Sequence, residues 1–361
     1  MKKIFHVCLE PLDNRYTKQW YDNIPKTINK AKQEQNLPFL VVTVDGETLE
    51  DKTTSGAFLN FSSTNHYKAT QTAKIAELFH SGKVRPGDKF LFTDAWHFGI
   101  TATKYMSELL AIPVEIHAIW HAGAYDPTDI LGMKMTKDWS SNQERAWYYA
   151  TDFNYYATNF HKDMFLKNLN IPTKDRLKAF RSGQPHEYII PELQAANVGP
   201  KEDLIVWPHR YNSDKQPQII EDIAKDFEGS GIKVAITQKM NLNKEEYYKL
   251  LGRAKVVFSC SLHENLGIGM MEGTLAGCLP LVPTRASYNE MYLPEFKYES
   301  HLTESGAWDR APNRSMILDK LRMMVQHYEV IANQSWPEQV ERLIDDYLTP
   351  TVMVNKLLDI K

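Results

Sequence analysis

The sequence predicts an α/β protein made of two doubly wound parallel-sheet domains. Three observations predict it. Short apolar runs of strand length alternate with helix-length amphipathic stretches. The alternation stops at a Gly- and Pro-rich segment near the middle of the chain and then restarts. The 361 residues, 43% hydrophobic and 24% charged, suffice for two ordinary cores. The expected limits are 1–185 for the first domain and 200–335 for the second. A helical piece follows over 336–361, and its return to the first domain is left open by the pattern.

Each element has its own signal. Residues 3–9 read as a buried strand, 16–35 as a helix and 38–44 as a second strand. The stretch 65–81 places Ala69, Ala73, Ala76 and Phe79 at helical spacing and ends near Gly82. Strands at 89–93 and 114–119 flank a helix at 101–110, and a strand-like run ending at Ala157 precedes a helix at 161–169. Gly183, Pro185, Pro191, Gly199 and Pro200 mark 181–201 as a linker. Beyond it come strands at 203–207, 233–237, 255–259 and 279–283, with helices at 216–227, 243–253 and 267–276 between them. The segments 316–328 and 336–358 read as helices. In such sheets ligands lie at the carboxyl ends of the strands, so the expected site is a cleft on which the two domains face each other.

Bulk properties narrow the function. No run of apolar residues is long enough for a transmembrane helix, and the apolar start is broken by His6, Glu10 and Pro11 without a cleavage site. Three scattered cysteines, Cys8, Cys260 and Cys278, point to reduced thiols in the cytoplasm and to neither a disulfide scaffold nor a metal site. A net charge of −3 removes the easy argument for non-specific nucleic-acid binding, although a local basic groove would suffice.

The chemistry concentrates in the second domain. After the strand at 255–259 the chain runs through Glu264, Asn265, Leu266, Gly267 and Ile268 into a helix that carries Glu272. Amides at a helix start attract an anion, and a carboxylate one turn further on is a good acceptor for two vicinal hydroxyls. Arg210 and Lys215 follow the strand at 203–207, where a planar fork and a point charge can take up phosphate charge. The plain alternatives are an acidic, solvated helix start and two surface cations. In the first domain His121 ends a strand with Gly123 beyond it, whereas His117 falls within the strand, as a buried core histidine would. Asp94, Trp96 and His97 follow another strand, where they line either the acceptor side of a site or an aromatic edge of the core. The aromatic cluster at 147–156, beside Arg145, could stack a base, but a buried helix and strand account for it more simply.

Glu264 and Glu272, separated by seven residues, resemble the E-x7-E signature of family 4 retaining glycosyltransferases, and Arg210 with Lys215 resembles the Arg-x4-Lys pair of that family. The resemblance implies a GT-B fold, two Rossmann-like domains facing across a cleft, and a nucleoside diphosphate sugar as donor, uridine diphosphate being the expected nucleotide. It implies that Glu272 binds the ribose and that Glu264 and His121 face the sugar. Arg210, Lys215, Asn265, Leu266, Gly267 and Ile268 would hold the donor, with no metal or other cofactor required. Segments 9–20, 158–165, 207–215 and 280–288 also resemble the glycosyltransferases that mannosylate queuosine in tRNA. The loop Asp13-Asn14-Arg15-Tyr16 lacks the paired glycines of those enzymes. The Lys, Asn and Tyr content further resembles proteins of large bacteriophages, whose enzymes glycosylate hydroxymethylcytosine in DNA.

The expected reaction is therefore glycosyl transfer to a hydroxyl on a modified nucleic-acid base. 5-Hydroxymethylcytosine in phage DNA, within the host cytoplasm, comes first and tRNA queuosine second, with Arg15, Asp94, Trp96 and His97 on the acceptor side. A glycan or small-molecule glycosyltransferase, a sugar-nucleotide epimerase and a non-catalytic sugar-nucleotide binder are the competing readings. The identity of the sugar is not encoded in any motif.

Overall fold

In the computed structural model, which describes residues 1–12, 16–49, 60–196, 199–304 and 306–360, both expected sheets form and every strand pairing in them is parallel. The chain divides into two compact units, Met1–Pro185 together with Pro350–Lys361, and His186–Thr349.

The first unit holds β1 (Lys2–Val7), β2 (Phe39–Val44), β3 (Lys89–Phe92), β4 (Glu115–Trp120), β5 (Phe153–Tyr156) and β6 (Ala179–Arg181), in the order β2-β1-β3-β4-β5-β6. Its helices are α1 (Tyr16–Glu34), α2 (Phe61–His80), α3 (Gly99–Leu109), α4 (Ile130–Lys134), α5 (Lys137–Ala150) and α6 (Asn159–Asn168). Helices on both faces leave no polar side for the central strands, which is why β3 is a continuous apolar run after Lys89 and is buried throughout. α2 starts earlier than its apolar spacing suggests. The Asn60 side chain accepts from the amides of Ser62 and Ser63, both at 3.0 Å, and so satisfies two first-turn donors. The aromatic run at 147–156 supplies core: Trp147, Tyr148, Tyr155 and Tyr156 are buried on α5 and β5.

The second unit repeats the design. α7 (Ile189–Ala196) leads to β7 (Glu202–Trp207), α8 (Pro217–Asp226), β8 (Lys233–Ile236), α9 (Lys244–Arg253), β9 (Ala254–Phe258), α10 (Ile268–Leu275), β10 (Leu279–Pro283), α11 (Tyr288–Met291) and β11 (Lys297–Tyr298). α12 (Ala311–Gln326), α13 (Tyr328–Gln334) and α14 (Trp336–Leu343) follow, and the strand order is β11-β10-β9-β7-β8. In each sheet the winding direction reverses once, between β1 and β3 and between β7 and β9. The loops leaving those strands are where a doubly wound sheet binds its ligand.

Two expectations need correction. The segment 181–201 is not all linker, because α7 lies within it. Pro191 sits in the first turn, where no intrahelical N–H is needed, and Ile189 and Leu193 are buried as α7 packs on α9 and α10. The segment 336–358 is not one helix. α14 passes into a single π-turn at Ile344–Leu348, the chain breaks at Pro350, and α15 (Thr351–Leu357) belongs to the first unit. There the buried Lys89 pairs with Asp359 and with Glu115, each at 2.7 Å. Among the described residues no helix is long and apolar enough to cross a membrane.

Candidate functional site

The two loops at the reversal point of the second sheet carry the predicted residues Arg210, Lys215 and Glu264. After β7 the chain runs through His209, Arg210 and Asp214 to Lys215, and after β9 through Ser261 to Glu264. Lys215 Nζ lies 2.7 Å from Glu264 Oε1 and 2.9 Å from Asp214, and it donates to Ser261 Oγ and to the His263 carbonyl. All three ammonium protons are thus engaged. Burial works against both charges. The two carboxylates nevertheless hold Lys215 above its ordinary value, and Lys215 with His209 holds Glu264 below the usual carboxylate range. Gln216, next in sequence, adopts a left-handed conformation (φ +53°), and its amide donates to the carbonyls of Cys260 and Thr303. That local strain is the cost of presenting Lys215 inward.

His209 precedes Arg210 on the loop after β7. It is 7% exposed, its Nδ1 lies 3.6 Å from Glu264, and burial pushes it down to about 4, so the ring is neutral. Arg210 differs from all of these. It is exposed, and its guanidinium makes no hydrogen bond or ion pair with the described residues.

α10 opens at Gly267, whose φ of +75° suits glycine and whose Cβ, if present, would stand 2.6 Å from the Tyr288 ring. The amides of Ile268 and Gly269 start the helix and make no hydrogen bond with the described residues. Two further glycines matter that sequence reasoning missed. A Cβ at Gly269 would meet the Pro208 carbonyl at 2.9 Å, and one at Gly273 would meet Val257 at 2.7 Å. The spacing Gly267-x-Gly269-x3-Gly273 was the available signal, since it lets α10 approach β9 and the loop after β7. Leu266 is buried beneath the turn, and Asn265 is half-buried beside it. Glu272 lies in α10 and accepts from Tyr247 at 3.0 Å and Tyr248 at 3.3 Å, two residues no motif singled out. Burial pushes its carboxyl up to about 7.

In the first unit the reversal point faces a cavity of about 530 Å³. Phe61, Trp96, Phe98, Trp139 and Trp147 supply apolar walls, and Tyr16, Thr64, Lys68, Asp94 and His121 supply polar groups. Lys68 Nζ reaches Asp94 at 2.6 Å and the Trp96 carbonyl at 2.7 Å. Burial would raise the Asp94 carboxyl, but Lys68 and His121 outweigh it and hold it low. His121 Nε2 lies 2.7 Å from the Thr93 carbonyl, so it carries the proton, and Nδ1 accepts from Tyr16 at 3.1 Å. Asp94, Trp96 and His121 thus share one cavity. His97 does not join them and is corrected to a core residue. It is 2% exposed, bonded to Gln71 at 3.0 Å and to the Gly99 amide at 2.9 Å. Arg15 lies outside the described residues. Lys68 was legible in principle: Thr64, Lys68 and Gln71 fall on the buried face of α2, where an unexplained polar residue signals a site.

One wall of this cavity rests on Glu144, which is wholly buried. Its Oε1 accepts from the Trp96 indole at 2.9 Å and from the Ala124 amide, while Oε2 has no partner among the described residues. Burial raises its carboxyl to about 7 from 4.5. A raised carboxyl binds more protons folded than unfolded, so its contribution to stability is present below the unfolded value and lost as pH rises towards 7. Glu144→Gln should therefore gain on the parent by about 3 kcal/mol between pH 4.5 and pH 8, read from paired urea melts. A difference that does not change with pH would show that Glu144 titrates normally.

No protein-family model matches the sequence. The tRNA-queuosine alpha-mannosyltransferase of Drosophila melanogaster is 28% identical over 121 residues, covering 27% of this chain and 32% of that protein. The match thus spans about a third of the relative's length. Among solved structures, OtsA in its apo form superposes with a TM-score of 0.64 at 11% identity, over 99% of each chain. A UDP-forming α,α-trehalose-phosphate synthase from Burkholderia xenovorans gives 0.57 at 11% identity, over 100% of this chain and 98% of that one. The lipopolysaccharide outer core galactosyltransferase WaaB, apo form, gives 0.55 at 10% identity, over 99% of each chain. At such identities the likeness is one of fold, and the fold is GT-B.

Proposed function

We propose that the chain is a retaining glycosyltransferase that moves a sugar from a nucleoside diphosphate, with UDP as the nucleotide, to a hydroxyl on a modified nucleic-acid base. The observation that carries this reading is the pairing of Lys215 with Glu264 beside the open amides of Ile268 and Gly269 at one reversal point of a GT-B fold, with Arg210 exposed on the same loop as Lys215. As the bond from the anomeric carbon to the diphosphate breaks, negative charge gathers on the β-phosphate. Arg210 and the helix-start amides stabilise it without reorganising. The acceptor hydroxyl attacks from the same face, and its proton passes to the departing phosphate oxygen. Lys215 anchors Glu264, which orients the sugar, and Glu272 receives the ribose. His121 stands on the sugar side of the reading, and Asp94 and Trp96 on the acceptor side. With these cations in place the reaction needs no metal.

A tRNA acceptor is preferred over DNA, because the similarity to a tRNA-queuosine alpha-mannosyltransferase is the finding that bears on the acceptor. Hydroxymethylcytosine DNA, the first expectation from composition, becomes the second reading. The test is a screen in which purified protein is incubated with uridine and guanosine diphosphate sugars and with queuosine tRNA, hydroxymethylcytosine DNA or unmodified DNA. Nucleosides are then read by mass spectrometry. A hexose or pentose on queuosine supports the reading, and one on hydroxymethylcytosine reverses the acceptor order. Donor hydrolysis with no modified nucleoside leaves the donor site standing and removes the nucleic-acid acceptor.

A further inference from the structure

The Glu272 carboxylate is held from a neighbouring helix. α9 begins at Asn243 with a reciprocal cap, in which Asn243 Oδ1 accepts the Glu246 amide and Glu246 accepts the Asn243 amide, each at 2.9 Å. This fixes the first turns of α9, and the consecutive residues Tyr247 and Tyr248 then deliver one hydroxyl to each oxygen of the same carboxylate. Tyr248 is 6% exposed, Lys244 Nζ sits 5.1 Å over its ring, and Lys244 is itself paired with Glu192 of α7 at 2.8 Å. Burial pushes both phenols far above their ordinary range, so each remains a donor.

Each carboxylate oxygen offers two lone pairs. The tyrosines take one on each, which fixes the plane of the group and leaves one acceptor site per oxygen. Two fixed acceptor sites suit two adjacent hydroxyls. We propose that Tyr247 and Tyr248 are positioning residues that hold the Glu272 carboxylate in the orientation in which it accepts the two ribose hydroxyls of the donor nucleotide. The proposal rests on the reading of Glu272 as the ribose group.

Among the described residues the groups that act most on Glu272 are Tyr247, Tyr248 and Lys244 of α9 and Glu192 of α7; α10 carries no other titratable group, and α14, which also packs on α10, carries Glu338, Glu341 and Arg342. Burial raises the carboxyl to about 7, and the two hydroxyls oppose that rise. Ribose hydroxyls donate best to the ionised form. The preference for a ribose diol should therefore grow as pH rises through 7 and level off above it. Removing the hydroxyls moves that midpoint upward.

The test is calorimetric titration of the full chain with UDP and with 2′,3′-dideoxy-UDP across pH 6–9, on the parent, E272Q, Y247F, Y248F and the double Phe variant. Taking the ratio of the two affinities cancels the ionisation of the phosphates. The parent ratio should rise with pH, E272Q should be flat, and the double Phe variant should show its midpoint about one pH unit higher. The single variants carry the same reading if the double variant fails to fold. A double variant with the parent's profile, beside a flat E272Q, would overturn the positioning role and leave the ribose reading intact. A parent that never distinguishes the two nucleotides, and matches E272Q throughout, would remove the ribose reading and the proposal with it.

Discussion

Arg210→Ala should lower kcat by about 10²–10³-fold while leaving the thermal midpoint unchanged, because Arg210 is the cation of the site with no structural task. It is exposed, and no described residue accepts from its guanidinium. Surface residues without partners change stability by about 0.5 kcal/mol or less when replaced. The effect on turnover has a different origin. Charge on the departing phosphate appears only as the glycosidic bond breaks, so a guanidinium aimed there lowers the barrier more than it strengthens donor binding. Arg210→Lys keeps the charge and loses the fork, and it should recover only part of the rate. Single-turnover rates with donor and acceptor both saturating measure the effect directly. An Arg210→Ala enzyme that turns over like the parent would remove the phosphate role outright.

Much of this architecture was readable from residues, for physical reasons that also mark where reading stops. Strands such as β3 and β10 are apolar runs because helices cover both faces, and that burial writes itself into sequence. The donor-side motifs were visible because loops at a reversal point need special residues: a left-handed Gly267, a cation after β7, and a carboxylate after β9. Pairings between distant residues were not visible. Nothing in the local pattern shows that Lys215 points at Glu264, or that Tyr247 and Tyr248 converge on Glu272 from another helix. His97 was misplaced because a polar residue after a strand reads the same whether it faces a cavity or, as here, bonds Gln71 in the core. α7 was missed because Pro191 and the flanking glycines outweighed a short helix whose stability comes from packing on α9 and α10.

Lys215→Met should differ from Arg210→Ala by damaging the fold as well as the reaction. Lys215 is 6% exposed, and its ammonium lies between Glu264 and Asp214. Removing it leaves Glu264, whose side chain is 16% exposed, without its ammonium partner beside His209, a loss of about 3 kcal/mol, at the low end for breaking a buried pair. The pair's contribution has a defined pH window. Glu264 is held below its ordinary value, so the stabilisation is present above the unfolded carboxylate range and disappears as pH falls through the lowered one. The instability of Lys215→Met relative to the parent should therefore shrink on acidification. Adding Glu264→Gln removes the stranded charge and should restore most of the lost stability at neutral pH. On the proposed reading turnover should not return, because the double variant lacks both the ammonium assigned to the donor and the carboxylate assigned to the sugar. Urea melts and single-turnover rates on the same three proteins separate the two roles. If the double variant regains both stability and rate, the ion pair is only a strut between the two loops, and the donor chemistry belongs to Arg210 and the start of α10.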